Sequence, residues 1–594
     1  MKNLSRKIFC ALLCIFMTIG LAACSQSGAE GAYKAGTYKA TEKGHNGEIE
    51  IQVKFDKDAI LEVKPLEHSE SAGLGDVAME KISKEVVEGQ TLAVDTVSGA
   101  TVSSKAILAA IEDCVEQAGG DVAALKAKTG AGDKNQTEEE ITTDVVVIGA
   151  GGSGLSAATS ARQNGAEVIV LEKQATIGGS TALSGGAIGA TGTKFQKEQG
   201  IEDSKENWMS LWKERQATSN PDSKYPDYNF VDYFMDEAVK TTEWLVDYVG
   251  HKYVSIIGFG MDPAERLHFP FSDETTKGGT SLINNIEGFA VGEGVKVLTE
   301  RPATELIVDE DGNVTGVISE GKNGKLTVHA KKVILAAGGY AKNEELLERF
   351  IPEAAGTSEL SAAAAGSTGD GMLMAEKVGA TFYEDPWVIG LGVASKLEGT
   401  ASLMMDWSKV YVNGNGERFT NEQIHYAIAS NKLLEQDKTW VIIDSTEANE
   451  ALVQALEGQL STGEVVKADT FEALAKAMEV PEENFLKTME TYNEGAKNGK
   501  DALGKEKEYL VAVEKAPYYA LKLYGKTMGT FAGVKTNESF QVLKEDGSII
   551  NNLYAVGENA NKVLYNQVYM TGSSIQFALT SGRIAGEHAA NSLK

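Results

Sequence analysis

The sequence predicts an α/β protein. A doubly wound, mostly parallel-sheet domain is interrupted by an inserted α+β domain and preceded by a small α+β domain. Three observations predict it. An apolar strand runs into a glycine-rich turn and a helix over 144–172. Alternating strands followed by two helical stretches fill 37–128. A segment with helices of its own divides the larger part at 386–516. A chain of 594 residues, 42% hydrophobic, with 63 glycines against 10 prolines, fits several such domains joined by tight turns.

Residues 1–23 stand apart. A basic start (Lys2, Arg6, Lys7), an apolar run over 8–20 and small residues before Cys24 make a secretion signal, too short to span a bilayer. Leu21-Ala22-Ala23-Cys24 resembles the lipobox of bacterial lipoproteins. That resemblance implies lipid on Cys24 and a protein held on the extracytoplasmic face of the cell membrane; a plain cleaved signal is the alternative. Residues 24–36 are a small-residue tether. With Cys10 and Cys14 in the signal and Cys24 lipidated, only Cys114 remains, which excludes a disulfide or a cysteine-ligated metal; no metal site is expected. Loss of the signal takes the formal charge from −29 to −32, which argues against nucleic acid as a partner.

In 37–128, two or three alternating strands precede helices over 71–90 and 105–116. Between the helices, VDTVSGATVSS (94–104) places Asp95, Ser98, Gly99, Ala100 and Thr101 at a helix start with no base to activate a hydroxyl. Ordinary N-capping accounts for these residues as readily as a function does. Residues 129–140 are polar and aperiodic, a linker.

The large part, 141–385 and 517–594, opens with a strand over 144–148, the turn Gly149-x-Gly151-x-x-Gly154, a helix, and a strand over 168–171 that ends at Glu172. Glycines at that spacing let backbone approach a pyrophosphate, the helix N-terminus attracts its charge, and the acid suits a ribose. This is a Rossmann-like dinucleotide fingerprint. Later loops select FAD over NAD. IGGSTALSGGAIGAT (177–191) supplies Gly179, Ser180, Thr181, Gly185 and Gly186; VILAAGGY (333–340) supplies Gly339; and AAGSTGDGMLMAEKVGA (364–380) supplies Asp370. NNLYAVGENAN (551–561) supplies Glu558, and a helix begins at Ser573-Ser574, where its N-terminus would stabilise charge on a reduced flavin.

On these loops the chain resembles the soluble fumarate reductase flavoprotein family, relatives of succinate dehydrogenase flavoprotein subunits, from Thr142 to the C-terminus. The N-terminal part resembles the FMN-binding domain often fused to that family. Its Asp-x-x-Ser-Gly-Ala-Thr signature is matched by Asp95, Ser98, Gly99, Ala100 and Thr101. The resemblance implies FMN joined through phosphate to Thr101 by a flavin transferase. It also implies FAD held without a covalent bond, since no His lies in 178–186 to attach it. The inserted 386–516 would cap the substrate.

The family donates its proton from an Arg fed by an acid and a second base. Arg418 in GERFTNE matches the Arg, with Asp406 and Lys409 as the relay; charges on an exposed β-hairpin are the alternative. The dicarboxylate grip is missing. No His lies in 387–400, Gly529 stands where the family has His, and Tyr569 where it has Arg, so fumarate is not the expected substrate. Tyr569 with Gly572 is similar instead to the carbonyl-holding pair of 3-ketosteroid dehydrogenases; packing of Tyr565 and Tyr569 on the isoalloxazine is the alternative.

The expectation is therefore a membrane-anchored reductase of an activated C=C bond in a small unsaturated substrate. Electrons would come from a membrane quinone or flavin system through FMN to FAD. Two rivals stay open, a ketosteroid-type dehydrogenase and a flavin electron carrier without a substrate of its own.

Overall fold

A computed structural model describes residues 31–45, 47–70, 75–97, 100–128, 138–272 and 276–594. The signal 1–23, Cys24, most of the tether, Ser98, Gly99 and residues 129–137 of the linker lie outside them. The chain divides into two units, 1–133 and 134–594.

In the first unit, EIEIQVKF alternates, so the strand Glu48–Phe55 buries Ile49, Ile51, Val53 and Phe55 and leaves its other face to solvent. It is the middle of a three-stranded antiparallel sheet with Gly36–Lys43 and Ile60–Pro65. The helices Gly75–Gly89 and Thr101–Gln117 bury Met79, Ile82, Val86, Ile107, Ile111 and Cys114. The second helix starts at Thr101, four residues before the expected 105. Ser103 and Ser104 turn inward, and Ser104 Oγ accepts the Val97 N–H at 3.0 Å, while Thr101 stays exposed in the first turn.

The second unit is built on an eight-stranded sheet. Its parallel heart runs Lys296–Leu298, Val168–Leu171, Glu138–Ile148, Gly324–Leu335 and Ile549–Ala555. The strand begins at Glu138, so the end of the expected linker is paired backbone. Glu138–Glu140 are exposed and carry no apolar signal, yet they pair with Lys325–Thr327 through main-chain bonds alone. The helices Gly152–Gln163 and Ser573–Asn591 cover one face of the sheet.

The inserted domain has its own four-stranded sheet, in the order Val410–Asn413, Thr439–Ile443, Tyr518–Lys522 and Val465–Ala468. The helices expected in 421–436 and 470–480 appear as Tyr426–Leu434 and Phe471–Met478. Because Tyr518–Lys522 is a central strand of this sheet, the insertion ends after residue 522 rather than at 516. The strands Trp387–Ala394 and Tyr524–Phe531 pair with each other and lead into and out of it.

Candidate active site

The glycine turn is built to admit a ligand. Gly149 adopts φ +107° and a Cβ there would collide with the Ala336 backbone, so only glycine closes the turn. Gly151 caps the helix Gly152–Gln163, and beside it runs the loop of Gly178 and Gly179, bridged at Gly151–Gly178. Gly179 is held in the left-handed region at φ +51°, but Gly151 and Gly185 need no positive φ and a Cβ on either would clash with nothing in the protein, so neither packing nor backbone explains these two. A pyrophosphate laid against bare backbone does, and the site fits FAD on this ground. Glu172, buried, accepts the Ala150 and Gln174 N–H groups at 2.8 Å each, which ties the turn to its strand. Burial raises its pKa above the usual carboxylate value.

Gly339 has no room for a side chain, because Glu558 and Thr530 occupy that space. Glu558 accepts the Thr530 N–H at 3.1 Å, and burial pushes its pKa up to about 7. Gly529 also abuts this carboxylate, so the family's His would collide there. Ser180 Oγ accepts the Ala364 N–H at 3.0 Å, Thr181 is buried beneath Gly152, and Gly186 at φ +73° fits tightly against Gly278. Asp370 is an ion-pair partner, 2.6 Å from Lys173, at the head of the helix Asp370–Lys377.

At the last loop the fully buried Tyr565 stacks with Phe531 and Trp212, at 4.1 and 5.7 Å between ring centres. Its hydroxyl meets Ser573 Oγ at 2.6 Å, and Ser574 Oγ is buried with no hydrogen-bond partner at the start of a 19-residue helix. Tyr569 and Gly572 do not present two donors to one carbonyl. The left-handed turn at Gly572 (φ +80°) directs its N–H onto Tyr569 Oη at 3.0 Å, so the Gly572 donor is spent while the Tyr569 hydroxyl keeps its own hydrogen. Burial raises Tyr569 to about 12.

The expected Arg418 relay is not assembled. Arg418 Nε and Nη2 donate to Glu422 at 2.9 and 2.6 Å, and Nη1 donates to Asp501. Lys505 closes the cluster on Glu422 at 2.8 Å, with both side chains fully buried. Two carboxylates raise the Arg418 pKa further, so every nitrogen of the guanidinium is occupied and its proton is harder to give up. Asp406 pairs with Lys409 at 2.9 Å, and Lys409 turns to Asn449 at 2.9 Å rather than to Arg418. These three residues brace the inserted domain. Asp501 and Lys505 lie more than eighty residues away in the chain, which hid the saturation of Arg418 from sequence reasoning.

A small cavity, partly open to solvent, adjoins the Arg418 cluster at Glu422. Met404, Trp407, Tyr411, His425 and Tyr426 line it from the inserted domain, and Gly260 and Met261 from the hairpin of Tyr253–Phe259 and Asp262–Pro270. No Arg or Lys is among its lining residues. Tyr426 Oη meets Thr571 Oγ1 at 3.1 Å, one residue before Gly572, and its ring lies 6.3 Å from that of Tyr569. Sequence reasoning passed over Tyr426 and His425 because NEQIHYAIAS reads as a plain helix. The one available signal was the polar pair at its start.

Residues 144–574 match the FAD binding domain family and residues 44–116 the FMN-binding domain family. The chain is 31% identical over 618 aligned positions to the urocanate reductase of Eggerthella lenta, covering 99% of this chain and 100% of that one. Among solved structures, the open conformation of a flavocytochrome c3 fumarate reductase is similar at TM-score 0.59 and 29% identity, over 76% of this chain and 78% of that one. The 3-ketosteroid-Δ4-(5α)-dehydrogenase of Rhodococcus jostii, in complex with 4-androstene-3,17-dione, is similar at TM-score 0.60 and 28% identity, over 77% of this chain and 99% of that one. With the glycine cradle and these matches in agreement, the chain belongs to the FAD-dependent reductase family that acts on C=C bonds and carries an FMN-binding domain ahead of its FAD-binding domain.

Proposed function

We propose that this reductase acts on the activated C=C bond of a small neutral substrate, with Tyr426 as the proton donor. The carrying observation is Tyr426, a residue of the cavity wall whose hydroxyl is hydrogen-bonded to Thr571 in the loop that opens the Ser573–Asn591 helix. Bound FAD would supply the hydride for the β-carbon. Tyr426 gives its proton to the α-carbon, and Thr571 with the solvent-open side of the cavity returns one. Burial lifts the Tyr426 phenol well above its ordinary pKa of about 10, so it gives up its proton only as negative charge builds on the α-carbon beside it. A wall without a cation offers nothing to a dicarboxylate, whereas the steroid dehydrogenase similar to this chain binds a neutral diketone.

A second reading, desaturation by the same residues in reverse, is favoured by the same tyrosines. A pure electron carrier has no use for the cavity. Upstream, Thr101 would carry FMN, added by a flavin transferase. Lipid on Cys24 would hold the protein at the membrane, where a quinone or flavin system donates electrons.

The test is anaerobic reoxidation of dithionite-reduced holoprotein by a panel of alkenes. Tyr426→Phe should slow it by about 10²–10⁴-fold with flavin content unchanged. Arg418→Lys should chiefly lower Tm, since disrupting a buried ion cluster costs about 3–5 kcal/mol. Full activity in Tyr426→Phe, or an inactive Arg418→Lys with normal Tm and flavin, would return the proton to Arg418.

A further inference from the structure

His425 is the cavity residue that the reaction as described does not use. It precedes the helix Tyr426–Leu434, and its Nδ1 accepts the Ala427 N–H at 3.3 Å as the helix N-cap. An Nδ1 that accepts leaves the hydrogen of the neutral ring on Nε2. That Nε2 is buried with no hydrogen-bond partner, on a side chain only 5% exposed that lines the cavity beside Tyr426, its ring 4.1 Å away. A buried donor left unpaired is costly unless something else fills the role.

Charged and titratable groups face it from several elements. Arg215, on the helix Lys205–Gln216, disfavours its protonation, and Asp262, on the strand Asp262–Pro270, favours it. These two form an ion pair with each other at 2.5 Å. Glu422 and Tyr411 share the cavity, with Glu422 already held by Arg418 and Lys505. Burial outweighs the rest and holds the imidazole at about 3, so it is neutral at every working pH.

We propose that the His425 Nε2–H binds a neutral carbonyl oxygen conjugated to the C=C bond, making this cavity selective for enone-type substrates over carboxylates. The proposal rests on the reduction reading above. A neutral donor holds a ketone, aldehyde or ester oxygen and polarises the alkene toward hydride at the β-carbon, while it offers no charge to a carboxylate. It also places the α-carbon on the Tyr426 side, since the two residues are adjacent on one wall.

The two nitrogens can be separated by substitution, because Asn reproduces the position of Nδ1 and Gln that of Nε2. His425→Asn keeps the cap and loses the donor; His425→Gln keeps the donor and loses the cap. The probes are 4-phenylbut-3-en-2-one and its carboxylate counterpart, cinnamate, each used to reoxidise dithionite-reduced holoprotein between pH 5 and 8. Wild type should prefer the enone, with no change in kcat/KM near pH 6.5, where an exposed histidine titrates. His425→Asn should lower kcat/KM for the enone by about 10- to 100-fold, mainly through KM, with Tm and flavin content retained. His425→Gln should recover most of that activity despite a lower Tm. Enone turnover unchanged in His425→Asn, or equally low in both variants, overturns the assignment, as does a wild type that prefers cinnamate and gains activity below pH 6.5. A wild type oxidised by neither probe, nor by any other alkene, overturns the reduction reading itself.

Discussion

Glu558 is a carboxyl group walled by glycine. A side chain at Gly339 or Gly529 would strike it, and its hydrogen bond from Thr530 N–H does not offset the loss of water, so it titrates at about 7. In the unfolded chain the same group titrates near about 4.3. Between those values the folded protein holds a proton that the unfolded chain has released, so stability falls as pH rises through this window and levels off above 7. Urea unfolding of the FAD-free protein at pH 4.5 and 7.5 should show that fall, and Glu558→Gln should remove most of it. An unchanged slope in the variant would assign the linkage to another group. The same residue scale shows what could be read beforehand. Glu558 and the glycines were legible because a turn forces its residue type locally. The ion cluster around Arg418 was not legible, because a buried charge is defined by its partners, and Asp501 and Lys505 approach it only through the fold.

Two helices hold the dinucleotide turn in place. Gly152–Gln163 and Ser573–Asn591 approach closely enough that a Cβ on Gly582 or Gly586 would run into the backbone of Ser153 or Ala157. Ser156 and Ser160 donate across the contact to the carbonyls of Leu579 and Arg583, at 2.7 and 2.8 Å. Each helix is evident in the sequence from its caps and small residues. Their pairing is not, because more than four hundred residues separate Ser156 from Leu579. Gly586→Ala should therefore destabilise by about 1–3 kcal/mol, the usual cost of overpacking, and weaken FAD retention as the turn shifts. Gly288→Ala is the matched control. This exposed glycine in the helix Gly278–Gly292 has nothing within 4 Å of a new Cβ, so alanine should stabilise by about 0.5–1 kcal/mol. Equal Tm shifts in the two variants would mean that the helix contact is not tight. The inserted domain teaches a related lesson. Its helices were readable from their own periodicity, but its limit at 516 was not, since Tyr518–Lys522 returns to pair with a strand some eighty residues earlier.

At the scale of the whole molecule, two units with separate cores divide the work, and the FMN-binding unit presents the Thr101 hydroxyl to solvent. Thr101 opens a 17-residue helix whose following serines, Ser103 and Ser104, are buried and bonded, so among these hydroxyls only Thr101 faces solvent. A phosphate esterified there would meet free N–H groups of the first turn, and an incoming transferase would need no rearrangement of the core. The proposed covalent attachment at Thr101, with reversible binding in the other unit, gives a prediction with two independent readouts. Thr101→Ala should lose the flavin mass increment in intact-protein mass spectrometry yet retain FAD extractable by acid, while Thr101→Ser should keep both. Alkene reduction driven by dithionite should survive in Thr101→Ala, because the small reductant reaches FAD directly. Reduction driven by membranes and a physiological quinol should fall to background. A covalent flavin on the alanine variant would move the attachment elsewhere, and membrane-driven turnover at the wild-type rate would remove FMN from the electron path.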